Sequence, residues 1–215
     1  MNAARTCSAL ALFLCAAAAA SAPPPAADTS ARAAEVLART RTTTKTYALY
    51  LWNRVTPPGT APREEWSAEF HSGNLHRVET PKVRLVADCK AGTGFAFDLT
   101  TGETVEGEAV AKTGCGVDAN TPLLSAEWKG KVATRFGPAE RVRLVDSENI
   151  RRYDISPEGI LLSSVYTRNG PGEPVLIVSQ AVALEAALPA EAIFDRASLS
   201  RSVVPDRFKR APAAR

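Results

Sequence analysis

The sequence predicts a mainly β protein: a single antiparallel, strongly curved sheet, a half-barrel, with an N-terminal helix and a short C-terminal helix. Three observations predict it. Ten or eleven short apolar or alternating segments recur at intervals of roughly 8–12 residues. Clusters of Gly, Pro, Asn and Asp separate them, close enough together for consecutive hairpins. Helical periodicity appears only near the two ends. An antiparallel meander of that length curls into a barrel, a half-barrel or a sandwich rather than staying flat.

Residues 1–20 place Arg5 before an apolar run from Ala9 to Ala20 that ends in small side chains. That is the layout of a cleavable secretion signal. The run is too short for the roughly 20 residues of a membrane-crossing helix. Cleavage after Ala20 or Ala22 fits the small-residue rule, and Pro23 favours Ala20. A retained anchor and lipidation at Cys15 are the alternatives; Leu14 is a poor residue to precede a lipidated cysteine. Residues 21–42 then read as a Pro/Ala linker and an amphipathic helix. Asp28, Thr29 or Ser30 supplies the cap, and Ala33, Val36 and Leu37 make the apolar stripe.

The β domain is expected over residues 43–204. Tyr47–Trp52 is apolar on both faces, so this strand should be covered on both sides. Trp66, Ala68 and Phe70 alternate with polar neighbours, as a half-buried strand does. Ser72-Gly73-Asn74 turns the chain into Leu75–Thr80, and Val83–Cys89 and Phe95–Leu99 follow. Residues 103–121 are polar and read as a loop. Strands are expected near 123–128, 131–136 and 139–145, with Lys129-Gly130 and Gly137-Pro138 as turns. Asn149–Ile155 and Ile160–Arg168 flank the turn Ser156-Pro157-Glu158-Gly159. Val175–Leu184 is the last strand, and a short helix begins at Pro189 and runs through Phe194. From Pro205 the chain reads as a basic, flexible tail.

Without its first 20 residues the chain carries a net charge of +2, against +3 for all 215. So near a balance excludes the electrostatic footprint of a nucleic-acid binder. Arginine (19) outnumbers lysine (7), and alanine is abundant, as in a GC-rich bacterial genome. The destination expected is the periplasm, or secretion. Two cysteines lie beyond the signal, Cys89 and Cys115, and in an oxidising compartment an isolated pair most simply forms one disulfide. Such a loop stabilises the fold by roughly 3–4 kcal/mol.

The export signal, the single amphipathic helix, the long meander, the turn Pro157-Glu158-Gly159-Ile160 and the terminal Leu188-Pro189 and Phe194 together resemble the periplasmic lipoprotein-localisation carrier superfamily. The resemblance implies a half-barrel whose concave apolar face, lidded by helices, holds acyl chains. The Cys89/Cys115 pair and the polar middle segment depart from the plainest members.

Chemistry-bearing motifs are sparse. If Gly73-Asn74 is a two-residue turn, His71 lies opposite His76 with Glu69 on the same face, about 5 Å apart across the strands. That set is either a two-His, one-carboxylate metal site or a hairpin end with solvated side chains. There is no nucleophile elbow, zincin helix, phosphate loop or calcium loop, so neither an enzyme nor a cofactor is expected. The aromatic residues Trp52, Trp66, Phe70, Phe95, Phe97 and Trp128 are spread over successive strands. They are the candidate wall for a lipid, an acyl chain or another hydrophobic ligand, or else ordinary core. Arg207, Lys209 and Arg210 offer at most a peripheral contact with an anionic membrane surface. The expected function is a non-catalytic periplasmic binding or carrier protein with an apolar cavity. The alternative is a cell-envelope protein-interaction module with a filled core.

Overall fold

A computed structural model describes residues 26–117, 122–172, 174–190 and 192–211. The signal and most of the Pro/Ala linker lie outside the described residues. Helix α1 runs Ala26–Thr42, starting inside what reads as linker. Eleven strands follow: β1 Tyr47–Val55, β2 Arg63–Ser72, β3 Leu75–Glu79, β4 Val83–Asp88, β5 Thr93–Asp98, β6 Thr104–Glu106, β7 Ser125–Thr134, β8 Gly137–Val145, β9 Asn149–Ile155, β10 Leu161–Arg168 and β11 Val175–Glu185. They form one antiparallel sheet in the order β6-β5-β4-β3-β2-β1-β11-β10-β9-β8-β7, not closed into a barrel. The first and last strands pair at its centre, and the two edges belong to the middle of the chain.

Side chains of paired residues share a face, so the register sorts the sheet into two surfaces. Tyr47, Leu49, Leu51, Glu69, His71, His76, Leu85, Ala87, Tyr153 and Val142 lie on one. Helix α1 packs there, setting Ala33, Val36 and Leu37 against Val142, Leu144, Tyr153 and Ile155. On the other face Ala48, Tyr50, Ala68 and Phe70 are covered by the C-terminal segment through Ile193 and Val204. Strand β1 is therefore buried on both sides, as its uniformly apolar run predicts. His76 on β3 and Leu161 on β10 are four strand spacings apart, about 19 Å if flat. They nevertheless line one cavity, so the sheet curls toward the helices.

Three elements differ from the sequence reading. Residues Glu108–Gly114, expected to be loop, form a second helix, α2. Its apolar side is only Val110 and Ala111, too little to stand out in a polar stretch. Gly94 and Gly114 let it lie on the sheet: a Cβ on Gly94 would sit 2.8 Å from the Ala111 nitrogen, and one on Gly114 2.6 Å from Leu85. Lys129-Gly130 is not a turn but a bulge within a single strand, β7, and Arg135-Phe136 is the turn that follows. The eleventh strand is instead the short edge β6. The C-terminal helical residues are 3-10 turns at Arg196–Ser200 and Asp206–Phe208; within the helix expected from Pro189 to Phe194, the described residues 189, 190 and 192–194 are not helical.

The chain beyond Pro205 is likewise no free tail as far as residue 209. Phe208 stacks on Tyr50 with ring centroids 3.8 Å apart, Arg207 pairs with Glu185 at 3.0 Å, and the Lys209 ammonium lies 5.9 Å from the Trp66 ring centroid. Buried polar groups strap this segment down. Arg77 and Glu79, both wholly buried, pair at 2.7 Å. Arg77 donates to the Ile193 carbonyl (2.6 Å), the Ser198 hydroxyl (2.5 Å) and the Arg201 carbonyl (2.9 Å). Glu79 accepts from the Ser202 hydroxyl (2.7 Å) and the Val203 amide (3.0 Å).

Candidate functional site

Where the curled sheet passes beneath the C-terminal ends of both helices, a cavity of 170 Å³ remains. Thr40 and Arg41 of α1 close one side and residues 113–117 the other; the floor is Tyr47, Glu69, His71, His76 and Val78. The two sides meet at a hydrogen bond from the Val117 amide to the Thr40 hydroxyl, 3.2 Å long. Cys89 and Cys115, 5.5 Å apart at Cα, are joined by a disulfide that ties the end of α2 back to the sheet beside the cavity. Gly159 fits the β9–β10 turn under α1. Its φ is +88°, and a Cβ there would stand 2.3 Å from the Arg39 carbonyl.

The hairpin register is the one Gly73-Asn74 predicts: His71 pairs with His76, and Glu69 points to the same face. His71 stacks on Tyr47 at 5.3 Å and meets His76 edge-on at 5.4 Å. Nδ1 of His71 lies 2.7 Å from the Lys45 carbonyl, and Nδ1 of His76 contacts the Gly114 carbonyl. A carbonyl only accepts, so each Nδ1 carries the proton. In the neutral rings Nε2 is then left as a bare acceptor. That of His76 is buried without a hydrogen-bond partner among the described residues, 3.8 Å from Glu69 Oε2. Burial drives Glu69 up to about 7. It pulls His76 down from the ordinary histidine range, against the opposing effect of the Gly114 carbonyl. Burial also lowers His71. No group of three His, Cys, Asp or Glu side chains among the described residues is arranged to hold a metal ion.

The aromatic candidates divide unequally between the faces. Trp52, Trp66, Phe70, Phe95 and Phe97 all lie on the face opposite the helices, in the same alternation as Ala48 and Tyr50. Phe70 is core beneath the C-terminal segment. Trp52 donates to Glu64 at 3.1 Å, and Arg196 covers the Phe95 ring at 4.8 Å. Phe97 borders a hollow under Arg196 and Leu199. Trp128 alone reaches the helix face, where its indole donates to Glu140 at 2.9 Å.

Glu140 anchors α1. Arg32 reaches it twice, at 2.9 and 2.8 Å, and Arg39 once, at 2.5 Å. This clamp carries a small prediction. Trp128→Phe removes one of several donors to Glu140 and should lower stability by about 1 kcal/mol, read as a shift in the urea midpoint with an unchanged slope. A loss several times larger would mean that Trp128, not the arginines, holds the helix. Sequence reasoning missed Tyr47, Thr40 and Arg41 as cavity residues. The only local signal was the hairpin that aligns His71, His76 and Glu69.

No family model matches the chain, and no curated protein does. Solved structures do. An uncharacterized conserved protein from Thermus thermophilus superposes with a TM-score of 0.51 at 14% identity, over 80% of this chain and 94% of that one. A LolA superfamily protein from Nitrosomonas europaea gives a TM-score of 0.43 at 9% identity, over 80% and 99%. A putative outer membrane lipoprotein-sorting protein domain from Vibrio parahaemolyticus gives 0.39 at 8%, over 82% and 100%. At 14% identity the likeness to the Thermus thermophilus protein is one of fold alone.

Proposed function

We propose that the protein is an exported, periplasmic carrier that holds an acyl chain or another slim hydrophobic ligand between the curled sheet and its two helices. The observation that supports it is the cavity at the ends of α1 and α2, on the face toward which the sheet bends. At 170 Å³ it is smaller than the roughly 300–1,000 Å³ of drug-sized sites. The cargo that suits it is one narrow chain. Apolar side chains of Val78, Val117 and Leu161 supply the wall. The Ala9–Ala20 apolar run behind Arg5 supports export, and the Cys89–Cys115 disulfide fits an oxidising compartment.

Native mass spectrometry of the purified chain, before and after extraction with organic solvent, tests this reading. The expected result is a mass excess of one small lipid or acyl compound that extraction removes. Hydrophobic dyes should then gain fluorescence only on the extracted protein. A chain of unmodified mass that binds no dye before or after extraction overturns the carrier. It would favour an envelope interaction protein with a filled core.

A further inference from the structure

The cavity is not uniformly oily. At its floor two polar groups come together: Nε2 of His76, buried and without a hydrogen-bond partner among the described residues, and Oε2 of Glu69, 3.8 Å away. A buried acceptor without a partner is costly, and a site of this kind gains when a ligand brings a donor. One oxygen atom can lie at ordinary hydrogen-bond distance, about 2.8 Å, from both. The His76 ring cannot turn its Nδ1 inward without giving up the Gly114 carbonyl. It therefore offers the ligand an acceptor and no donor.

We infer that this cavity takes the hydroxyl end of a neutral, single-chain amphiphile, with His76 Nε2 accepting the hydroxyl proton and Glu69 meeting the same oxygen. The inference rests on the carrier reading and names its cargo: an alcohol-headed chain whose apolar part runs along Val78 and Leu161. A carboxylate head brings no proton for His76 and would have to enter as a charge in a pocket that disfavours charge. An ammonium head would need the Glu69 carboxyl fully ionised in a pocket that disfavours charge. Arg41 lines the α1 side of the cavity and is the one fixed cation among its described lining residues. It is the group that would favour an anion if the head lay there instead.

Calorimetric titration of the extracted full chain with octanol, octanoate and octylamine at pH 7 tests this. Octanol should bind at least tenfold tighter than either charged partner. In His76→Leu its affinity should fall about tenfold, to the level of the other two. His76→Gln, which restores an acceptor, should recover part of the loss and guards against a variant that fails to fold. Octanoate binding best overturns the inference in favour of Arg41. Octanol affinity unchanged in His76→Leu also overturns it. Equal binding of all three leaves the carrier standing and removes the hydroxyl recognition; binding of none removes both.

Discussion

Replacing Glu79 by alanine should cost about 3–5 kcal/mol of folding stability, the range for a buried ion pair broken on one side. The reason is the company it leaves behind. Arg77 is wholly buried, and its pair to Glu79 is its only carboxylate contact within 3 Å among the described residues. A guanidinium does not escape by losing its proton. The same substitution removes the acceptor for the Ser202 hydroxyl and the Val203 amide, so the segment over Tyr50 and Phe70 loses two anchors as well. Glu106→Ala is the matched control. Glu106 also pairs with an arginine, Arg196 at 3.1 Å, but both side chains are about 60% exposed, and such pairs contribute 0 to about 1 kcal/mol. Urea titration of both variants checks the contrast. Equal losses would show that the Arg77–Glu79 pair is not what fastens the C-terminal segment.

The second large effect depends on pH. Burial lifts Glu69 to about 7 in the folded chain, from an ordinary glutamate value of 4.5. Below 4.5 both states hold the proton and Glu69 costs nothing. Between 4.5 and about 7 the unfolded chain releases it while the folded chain keeps it, so stability falls as pH rises. Above 7 the penalty is complete, on the order of 3 kcal/mol. Glu69→Gln removes this penalty. The variant should match the parent at pH 4 and exceed its stability by on the order of 3 kcal/mol at pH 8. His76 works the other way: its lowered value costs stability as pH falls below the ordinary histidine range. It is present in both proteins and cancels in the comparison. The other titratable groups lining the cavity are Tyr47 and His71 from the sheet and Arg41 from α1. Chemical denaturation at the two pH values checks the prediction. A stability difference that does not change with pH would show that Glu69 is not held neutral by its surroundings.

Much of this protein is legible in local patterns. Strict alternation at Trp66, Ala68 and Phe70 fixes a two-faced strand, and Gly73-Asn74 fixes the register that sets His71 opposite His76. With only two cysteines beyond residue 20, the Cys89–Cys115 bond needs no choice among pairings. The alternation is silent on a different matter. A period of two says that a strand has two faces; it does not say which one the sheet curls around. Strand β1 gives no help, being apolar on both.

The tertiary structure decided that question, and it set Trp52, Trp66, Phe70, Phe95 and Phe97 on the side away from the helices. The deciding contacts join residues far apart in the chain. Arg32 of α1 reaches Glu140 over 108 positions, and Arg77 reaches the Ile193 carbonyl over 116. Helix α2 and the docking of Phe208 on Tyr50 belong to the same class. Backbone sterics and side-chain period act between near neighbours, so the sequence by itself determined strands, turns and one hairpin's register. Which face became concave, and what covered the other, followed from burying apolar surface and satisfying Arg77, Glu79 and Glu140 across the whole chain, and only packing could decide it.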